Sequence, residues 1–206
     1  MPNGVTIQLA QSVFIPDRTT EEFIAEAIKV IKSLGDNRTV AEVGVGSGIV
    51  IATLAHMFPR QRFLGFDVNR QAIALTNQNI KANHVNNCEV LVNSSSEWIA
   101  SSFNDQIDLI ISNPPYVGRN EIQGKNFHKD YPDAGSQPPE SLLAADSLGT
   151  APYVDIIQEG YRRDVKHWVF RVNSNRRQDL VARVVQLFLD IRITVKTPAV
   201  LYLTRP

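Results

Sequence analysis

The sequence predicts an α/β fold in which a largely parallel β-sheet carries helices on both faces. From residue 39 onward, short apolar stretches that suit buried strands alternate with segments of helical periodicity. A β-α-β-α order implies parallel strands, because each helix returns the chain to start the next strand in the same direction. The chain has 206 residues, 43% of them hydrophobic, which suits one domain. We expect that domain to span 1–206, with 1–35 as a lead-in and 36–206 as the core.

The lead-in is predicted to hold one strand and one helix. Apolar and polar residues alternate over 5–9, which predicts a short strand. A helix is expected over about 21–33, with Thr19 or Thr20 as its N-terminal cap. Spacings of three and four residues place apolar side chains on one face of this helix. These side chains are Phe23, Ala27, Ile28 and Ile31.

The core is predicted to continue as alternating strands and helices. Apolar stretches bounded by turn residues predict the strands, and helical periodicity predicts the helices. The predicted strands cover 39–45, 62–68, 89–92, 107–112 and 167–172. The predicted helices cover 49–58, 70–83, 95–102, 152–163 and 176–189. A closing hairpin is expected from 191–195 and 200–203, around Thr197-Pro198.

Composition narrows the classes of protein. Lys and Arg together number 21, as do Asp and Glu, so the chain lacks the excess of positive charge that non-specific nucleic-acid binding requires. The single cysteine, Cys88, forms no internal disulfide, and His56, His84 and His128 have no partners at metal-ligand spacing. Residues 1–10 lack the features of a signal peptide. We therefore expect a cytoplasmic protein with no bound metal and no membrane association.

A glycine-rich turn follows the first core strand. Residues 42–48 read E-V-G-V-G-S-G, and the G-x-G-x-G spacing differs from the G-x-G-x-x-G of dinucleotide sites. The turn therefore suits a nucleoside ligand without a pyrophosphate, such as S-adenosylmethionine, whose ammonium group an acidic residue could hold. An acidic residue at the end of the second strand could accept hydrogen bonds from both ribose hydroxyls. The residues assigned to the cofactor are Glu42, Gly44, Gly46, Gly48, Asp67 and Val68. The alternative is a capped glycine turn without a ligand.

The fourth core strand ends in the tetrapeptide Asn113-Pro114-Pro115-Tyr116. The Asn113 side-chain oxygen and the Pro114 carbonyl can each accept one N–H of a planar amino group, which orients and polarises a poorly nucleophilic nitrogen. The consecutive prolines fix these acceptors in advance, and Tyr116 offers a flat face to the substrate. All four residues are candidate catalytic residues. The alternative is a rigid turn with Tyr116 as packing.

Together these motifs resemble the HemK/PrmC group of protein-glutamine N5-methyltransferases, which are class I S-adenosylmethionine-dependent methyltransferases. The resemblance covers about residues 5–165, and it includes flanking segments around 13–21 and 141–153. It implies a Rossmann-like sheet of seven strands, the last antiparallel, and S-adenosylhomocysteine as a product. It also implies that Ser96 or Glu97 contacts the adenine and that Asn113 adjoins the cofactor.

The resemblance implies an N-methyltransferase that acts on a protein glutamine, as in the Gly-Gly-Gln loop of a peptide release factor. It also makes a small activator subunit a possible partner, since some members of the group need one. An exocyclic amine of RNA or DNA, adenine N6 or guanine N2, poses the same electronic problem, so nucleic acid is the alternative substrate. A non-catalytic cofactor- or partner-binding domain is the alternative of another class. The basic residues that could meet an RNA backbone are Arg162, Arg163, Lys166, His167, Arg176 and Arg177.

Overall fold

The computed structural model describes residues 4–10, 13, 15–93, 106–118, 121, 127 and 138–206. The strands in these residues are β1 Thr39–Val43, β2 Arg62–Asp67, β3 Cys88–Val92, β4 Leu109–Ser112, β5 His167–Arg171, β6 Arg192–Thr197 and β7 Val200–Thr204. The helices are α1 Arg18–Leu34, α2 Ile49–Met57, α3 Arg70–Ala82, α4 Pro139–Leu142, α5 Ala151–Arg162 and α6 Ser174–Leu187. The predicted helix over 95–102 lies outside the described residues.

The seven strands form one sheet in the order β3-β2-β1-β4-β5-β7-β6. β1 to β5 pair in parallel, whereas β7 is antiparallel to both β5 and β6. The predicted α/β class, the closing hairpin and the antiparallel last strand are therefore confirmed.

The strand order reverses between β1 and β4. In open sheets of this kind, ligands bind at such a switch point, beyond the carboxyl ends of the strands.

Helices cover both faces of the sheet because successive strand residues point to opposite sides. In β1, Val40 packs in a core cluster with residues of α1, α2 and α3. Ala41 packs in a second cluster with residues of α5 and α6. Trp168 in β5 is fully buried in the second cluster. This arrangement leaves the ends of the strands open for a ligand.

The cap of α1 differs from the prediction. Asp17, rather than Thr19 or Thr20, is the N-cap, and its side chain accepts a hydrogen bond from the backbone N–H of Thr20 at 3.1 Å. The Thr20 hydroxyl oxygen accepts from the backbone N–H of Asp17 in return, at 3.2 Å. This reciprocal capping box satisfies two orphan donors, so α1 begins at Arg18, earlier than predicted.

The predicted strand over 5–9 is wrong. Its backbone pairs with two side-chain amides of the α3 region instead of with another strand. Thr6 exchanges two hydrogen bonds with the Asn83 amide, at 2.9 and 2.8 Å. Gln8 does the same with Asn79, at 2.8 and 3.0 Å. An amide group offers the same donor and acceptor pair as a peptide unit, so the segment is extended without joining the sheet.

The division of the chain into a lead-in, 1–35, and a core, 36–206, stays a prediction.

Within the described residues, no helix combines the length and apolar character that a membrane crossing requires. No group of three or more potential metal ligands occurs there either.

Candidate active site

A pocket lies at the carboxyl ends of β1 and β4, at the reversal of strand order. Its volume is about 330 Å³, within the range of about 300–1,000 Å³ that is usual for small-molecule sites. The Ser112 hydroxyl donates to the Val43 carbonyl at 2.6 Å and joins the two strand ends beneath it. The sequence-predicted residues that line the pocket are Glu42, Gly44, Gly46, Asp67, Val68, Asn113, Pro114 and Pro115.

Two of the described residues that the sequence assigned to the site, Gly48 and Tyr116, are not in that lining. Gly48 is the left-handed N-cap of α2, and a Cβ there would come within 2.6 Å of the Thr76 side chain. The lack of a side chain at Gly48 lets α2 and α3 approach each other, and contact of Gly48 with the cofactor stays a prediction. Tyr116 is buried in the core, so its contact with a substrate stays a prediction. Ser96 and Glu97 lie outside the described residues.

The glycine turn is bound to the end of β2. The backbone N–H groups of Gly44 and Val45 both donate to the Phe66 carbonyl, at 2.8 and 3.1 Å. Gly44 has a φ of +79°, and a Cβ placed on it would meet no atom within 4 Å. The turn thus exposes bare backbone to the pocket, and a ligand can approach it more closely than any other residue type would allow.

Asp67 stabilises the turn and also faces the pocket. One carboxylate oxygen accepts from the Gly46 N–H and the other from the Asn69 N–H, each at 2.9 Å. Burial raises the pKa of Asp67, while these donors counteract the rise. A carboxylate oxygen has two lone pairs, so each can still accept a ribose hydroxyl. Val68, the next residue, leaves 67% of its surface exposed and offers an apolar face for an adenine ring.

Glu42 places an acidic group at the floor of the pocket. It is 2% exposed, and its Oε2 has no hydrogen-bond partner within the described part of the chain. Burial raises its pKa well above the ordinary value, and the nearby Asp67 charge adds to the rise. Among the described residues that line the pocket, none is Lys or Arg. A buried acceptor without a partner in such a pocket fits a positively charged ligand, as S-adenosylmethionine is.

We expect Glu42→Gln to stabilise the ligand-free protein. The folded-state pKa of Glu42 is raised, so ionisation favours the unfolded state as pH rises above about 4.5. At about pH 8 the variant should therefore have a higher unfolding free energy than the wild type, and the difference should vanish near pH 4. Denaturant titrations at the two pH values check this. Equal stability of variant and wild type at high pH would contradict a raised pKa for Glu42 in the folded protein.

The tetrapeptide continues from β4 along the rim of the pocket. Asn113, Pro114 and Pro115 line the pocket beside Ser112. The backbone N–H groups of Tyr116 and Val117 both donate to the Leu142 carbonyl, at 3.1 and 2.8 Å. These bonds, together with the two prolines, hold the Asn113 and Pro114 acceptors in place.

Gly149 packs directly against the tetrapeptide. It has a φ of +67°, and a Cβ there would lie 2.0 Å from the Tyr116 carbonyl oxygen. Gly149→Ala should therefore displace the tetrapeptide and cost on the order of 1–3 kcal/mol of unfolding free energy. Gly35→Ala is the matched control, because Gly35 has a φ of +80° and open space around its Cβ position. Thermal unfolding compares the two; equal losses would show that backbone strain alone, not the clash, sets the cost.

Several residues in and beside the pocket were missed at the level of sequence, and three of them bear on its chemistry. Asn93 follows β3 and lines the pocket, and a polar residue at a strand end is the signal that could have revealed it. Asp155 in α5 also lines the pocket, but nothing in the local sequence marks it. Arg171, at the end of β5, reaches the tetrapeptide from the other side of Asn113.

The strand order, the antiparallel β7 and the pocket at the switch point define a class I methyltransferase fold. A family model described as the methyltransferase small domain matches residues 11–130. This is more than half of the chain, and the chain belongs to that family. S-adenosylmethionine is the cofactor of such methyltransferases, and the residues of the pocket fit it.

Relatives agree with the resemblance noted from the motifs. The release factor glutamine methyltransferase of Aliivibrio fischeri is 29% identical over 157 residues, which is 76% of this chain and 52% of the relative. That of Fusobacterium nucleatum is 23% identical over 185 residues, 89% of this chain and 50% of the relative. The chain thus spans about half the length of these two curated relatives. Among solved structures, the hMettl16 catalytic domain in complex with a 3'UTR hairpin has a TM-score of 0.74 at 12% identity, covering 98% of this chain and 74% of that one.

Proposed function

We propose that this protein transfers a methyl group from S-adenosylmethionine to the side-chain nitrogen of a glutamine in a protein, most simply a peptide release factor. The observation that carries the proposal is the position of Asn113 and Pro114, which line the same pocket as Glu42, Asp67 and the glycine turn. Acceptor-binding and cofactor-binding residues thus share one cavity, as direct transfer requires.

The roles of the residues follow from charge and hydrogen bonding. The cofactor supplies an electrophilic methyl group on a sulfonium. Asp67 accepts from the ribose, Val68 covers the adenine, and Glu42 faces the positive end of the ligand. Asn113 Oδ1 and the Pro114 carbonyl accept the two N–H groups of the acceptor amide. Both acceptors stabilise the positive charge that develops on the nitrogen, whose surplus proton can leave after transfer, so no general base is required.

The pocket suits an uncharged amide as the acceptor. Besides the tetrapeptide, its lining includes the apolar residues Pro152 and Ile156 and the carboxyl groups of Glu42, Asp67 and Asp155, with no Lys or Arg among the described residues that line it. A carboxylate here repels phosphate. This lining supports a protein side chain over a nucleotide as the acceptor.

Several of the basic residues noted in the sequence pair with acidic side chains of the protein itself. Arg162 and Arg163 both pair with Glu159, at 3.1 and 3.5 Å. Lys166 pairs with Asp164 at 3.0 Å. Side chains already paired with carboxylates contribute less to phosphate binding, which weighs against RNA or DNA as the substrate. The intact tetrapeptide in an open pocket weighs against a non-catalytic domain.

We propose that residues 1–206 act as one methyltransferase domain. This chain spans about half the length of the two curated relatives. We propose that a small activator subunit assists its recognition of the substrate.

The test uses tritiated S-adenosylmethionine with a panel of release factor, tRNA, rRNA and DNA. Label on the release factor supports the proposed function, and label on a nucleic acid overturns the substrate assignment. The Asn113→Ala protein serves as the control for contaminating activity. If cofactor binds by calorimetry but nothing is labelled, even after a candidate activator subunit is added, the proposed acceptor is wrong.

A further inference from the structure

One arginine connects the tetrapeptide to the start of helix α1. Arg171 ends β5 and is 5% exposed, although it carries a permanent charge. Its Nε donates to the Thr19 hydroxyl at 2.8 Å, and its NH2 group donates to the Asp17 carboxylate at 3.0 Å. Asp17 is the N-cap of α1. These short contacts fix the plane of the guanidinium.

The remaining nitrogen of this guanidinium faces the acceptor residues. Its NH1 lies 3.4 Å from Asn113 Oδ1, a long hydrogen bond, and its Cζ lies 5.3 Å from the centre of the Tyr116 ring. Arg171 therefore contacts the first and last residues of the tetrapeptide at once. Parallel pairing of β4 with β5 places Phe170 opposite Ser112, so the residues that follow them, Arg171 and Asn113, lie side by side at this edge of the sheet.

We infer that Arg171 is a positioning residue for the acceptor site, which presents Asn113 Oδ1 to the substrate nitrogen. An asparagine amide is nearly symmetric in shape, and only its hydrogen-bond partners decide which end carries the oxygen. A donor fixed beside Oδ1 selects one of the two orientations. The second lone pair of that oxygen then stays available to the acceptor N–H. The inference rests on the proposed function, because it assigns Arg171 to the same reaction.

The negative charge of Asp17 makes this positioning role of Arg171 compatible with the reaction. An isolated cation beside Asn113 would oppose the positive charge that develops on the acceptor nitrogen. Asp17 neutralises Arg171 at 3.0 Å, so Arg171 orients the amide at little electrostatic cost. The capping box of α1 thereby becomes part of the acceptor site, and Thr20 of that box lines the pocket itself.

The test compares Arg171→Lys with Arg205→Lys. Lysine keeps the charge of Arg171 and can keep the contact with Asp17, but a single ammonium cannot also reach Thr19 and Asn113 as the planar fork does. Arg205 is a matched control, because it contacts the Asp164 carboxylate at 2.9 Å and lies 4.0 Å over the Tyr161 ring, with its side chain 13% exposed. Three readouts are taken: kcat for methyl transfer with saturating cofactor, the cofactor Kd, and the NMR signal of the Asn113 side-chain amide, assigned by its loss in Asn113→Ala.

We expect Arg171→Lys to shift the Asn113 signal and to lower kcat by about 10- to 100-fold, while the cofactor Kd changes less than about twofold. Arg205→Lys should change none of the three. An unchanged Asn113 signal or an unchanged kcat in Arg171→Lys overturns the inference, as does an equal loss of kcat in Arg205→Lys. If the wild type methylates no acceptor while the signal still shifts, the proposed function fails and the contact between Arg171 and Asn113 stands.

Discussion

Replacing Asn113 by alanine is expected to abolish methyl transfer while leaving cofactor affinity nearly unchanged. The change removes the Oδ1 acceptor, and Pro114 alone then holds the substrate nitrogen. Loss of one preorganised hydrogen-bonding group in an active site typically lowers kcat by about 10²–10³-fold. The variant keeps Asp67, Val68 and the glycine turn, to which we assign cofactor binding and which line the pocket.

The measurement is a pair of assays on the same preparation: transfer from labelled cofactor, and calorimetry with S-adenosylhomocysteine. Asn175→Ala is the control, because Asn175 is an exposed residue of α6 and does not line the pocket. An Asn113→Ala protein that transfers methyl at the wild-type rate would remove Asn113 from the mechanism. A large loss of cofactor affinity would instead place Asn113 chiefly in the cofactor site.

Replacing Asp67 by alanine should weaken cofactor binding by about 1–3 kcal/mol, because hydrogen bonds to the ribose hydroxyls are lost. The structure adds a second reason. Asp67 also accepts from the Gly46 and Asn69 N–H groups, each at 2.9 Å, so the variant loosens the turn on which the cofactor lies. We therefore expect a value in the upper half of that range.

Calorimetry with S-adenosylhomocysteine checks this, and Asp36→Ala is the control. Asp36 is exposed and pairs with Arg60 at 2.7 Å, and it does not line the pocket. Because burial raises the pKa of Asp67, affinity in the wild type should also fall as pH drops through that raised value, where the carboxylate becomes protonated. Unchanged affinity in Asp67→Ala would refute the ribose assignment.

Most of the fold could be predicted because local pattern and global structure agree in this chain. The strand at 62–68 and the helix at 70–83 were placed within one or two residues, since apolar periodicity and turn residues mark both ends. The segment at 5–9 has an equally regular alternation, yet it forms no strand. Its backbone instead forms hydrogen bonds with Asn79 and Asn83, which lie more than 70 residues away. The alternation of apolar and polar residues does not reveal which distant groups a segment will bond to.

Some residues of the candidate site could likewise be predicted from the sequence, and others could not. Glu42, Asp67 and Asn113 could be predicted because each lies at or next to the carboxyl end of a strand, and these strand ends meet at one edge of the sheet. Arg171 also ends a strand, but its contacts with Asp17 and Asn113 join residues 154 and 58 positions apart. The burial of Tyr116 depends on how α4 and Gly149 pack against it. Such packing follows from the tertiary structure and leaves no pattern in the sequence.

We propose that the protein methylates a glutamine nitrogen held in this pocket, and mass spectrometry of the acceptor tests this function most directly. Release factor is incubated with the protein and S-adenosylmethionine, then digested and sequenced by fragmentation. We predict the mass of one added methyl group on the glutamine of the Gly-Gly-Gln loop, and none when the Asn113→Ala protein is used. A release factor left unmodified under conditions in which the protein methylates RNA or DNA would contradict the claim.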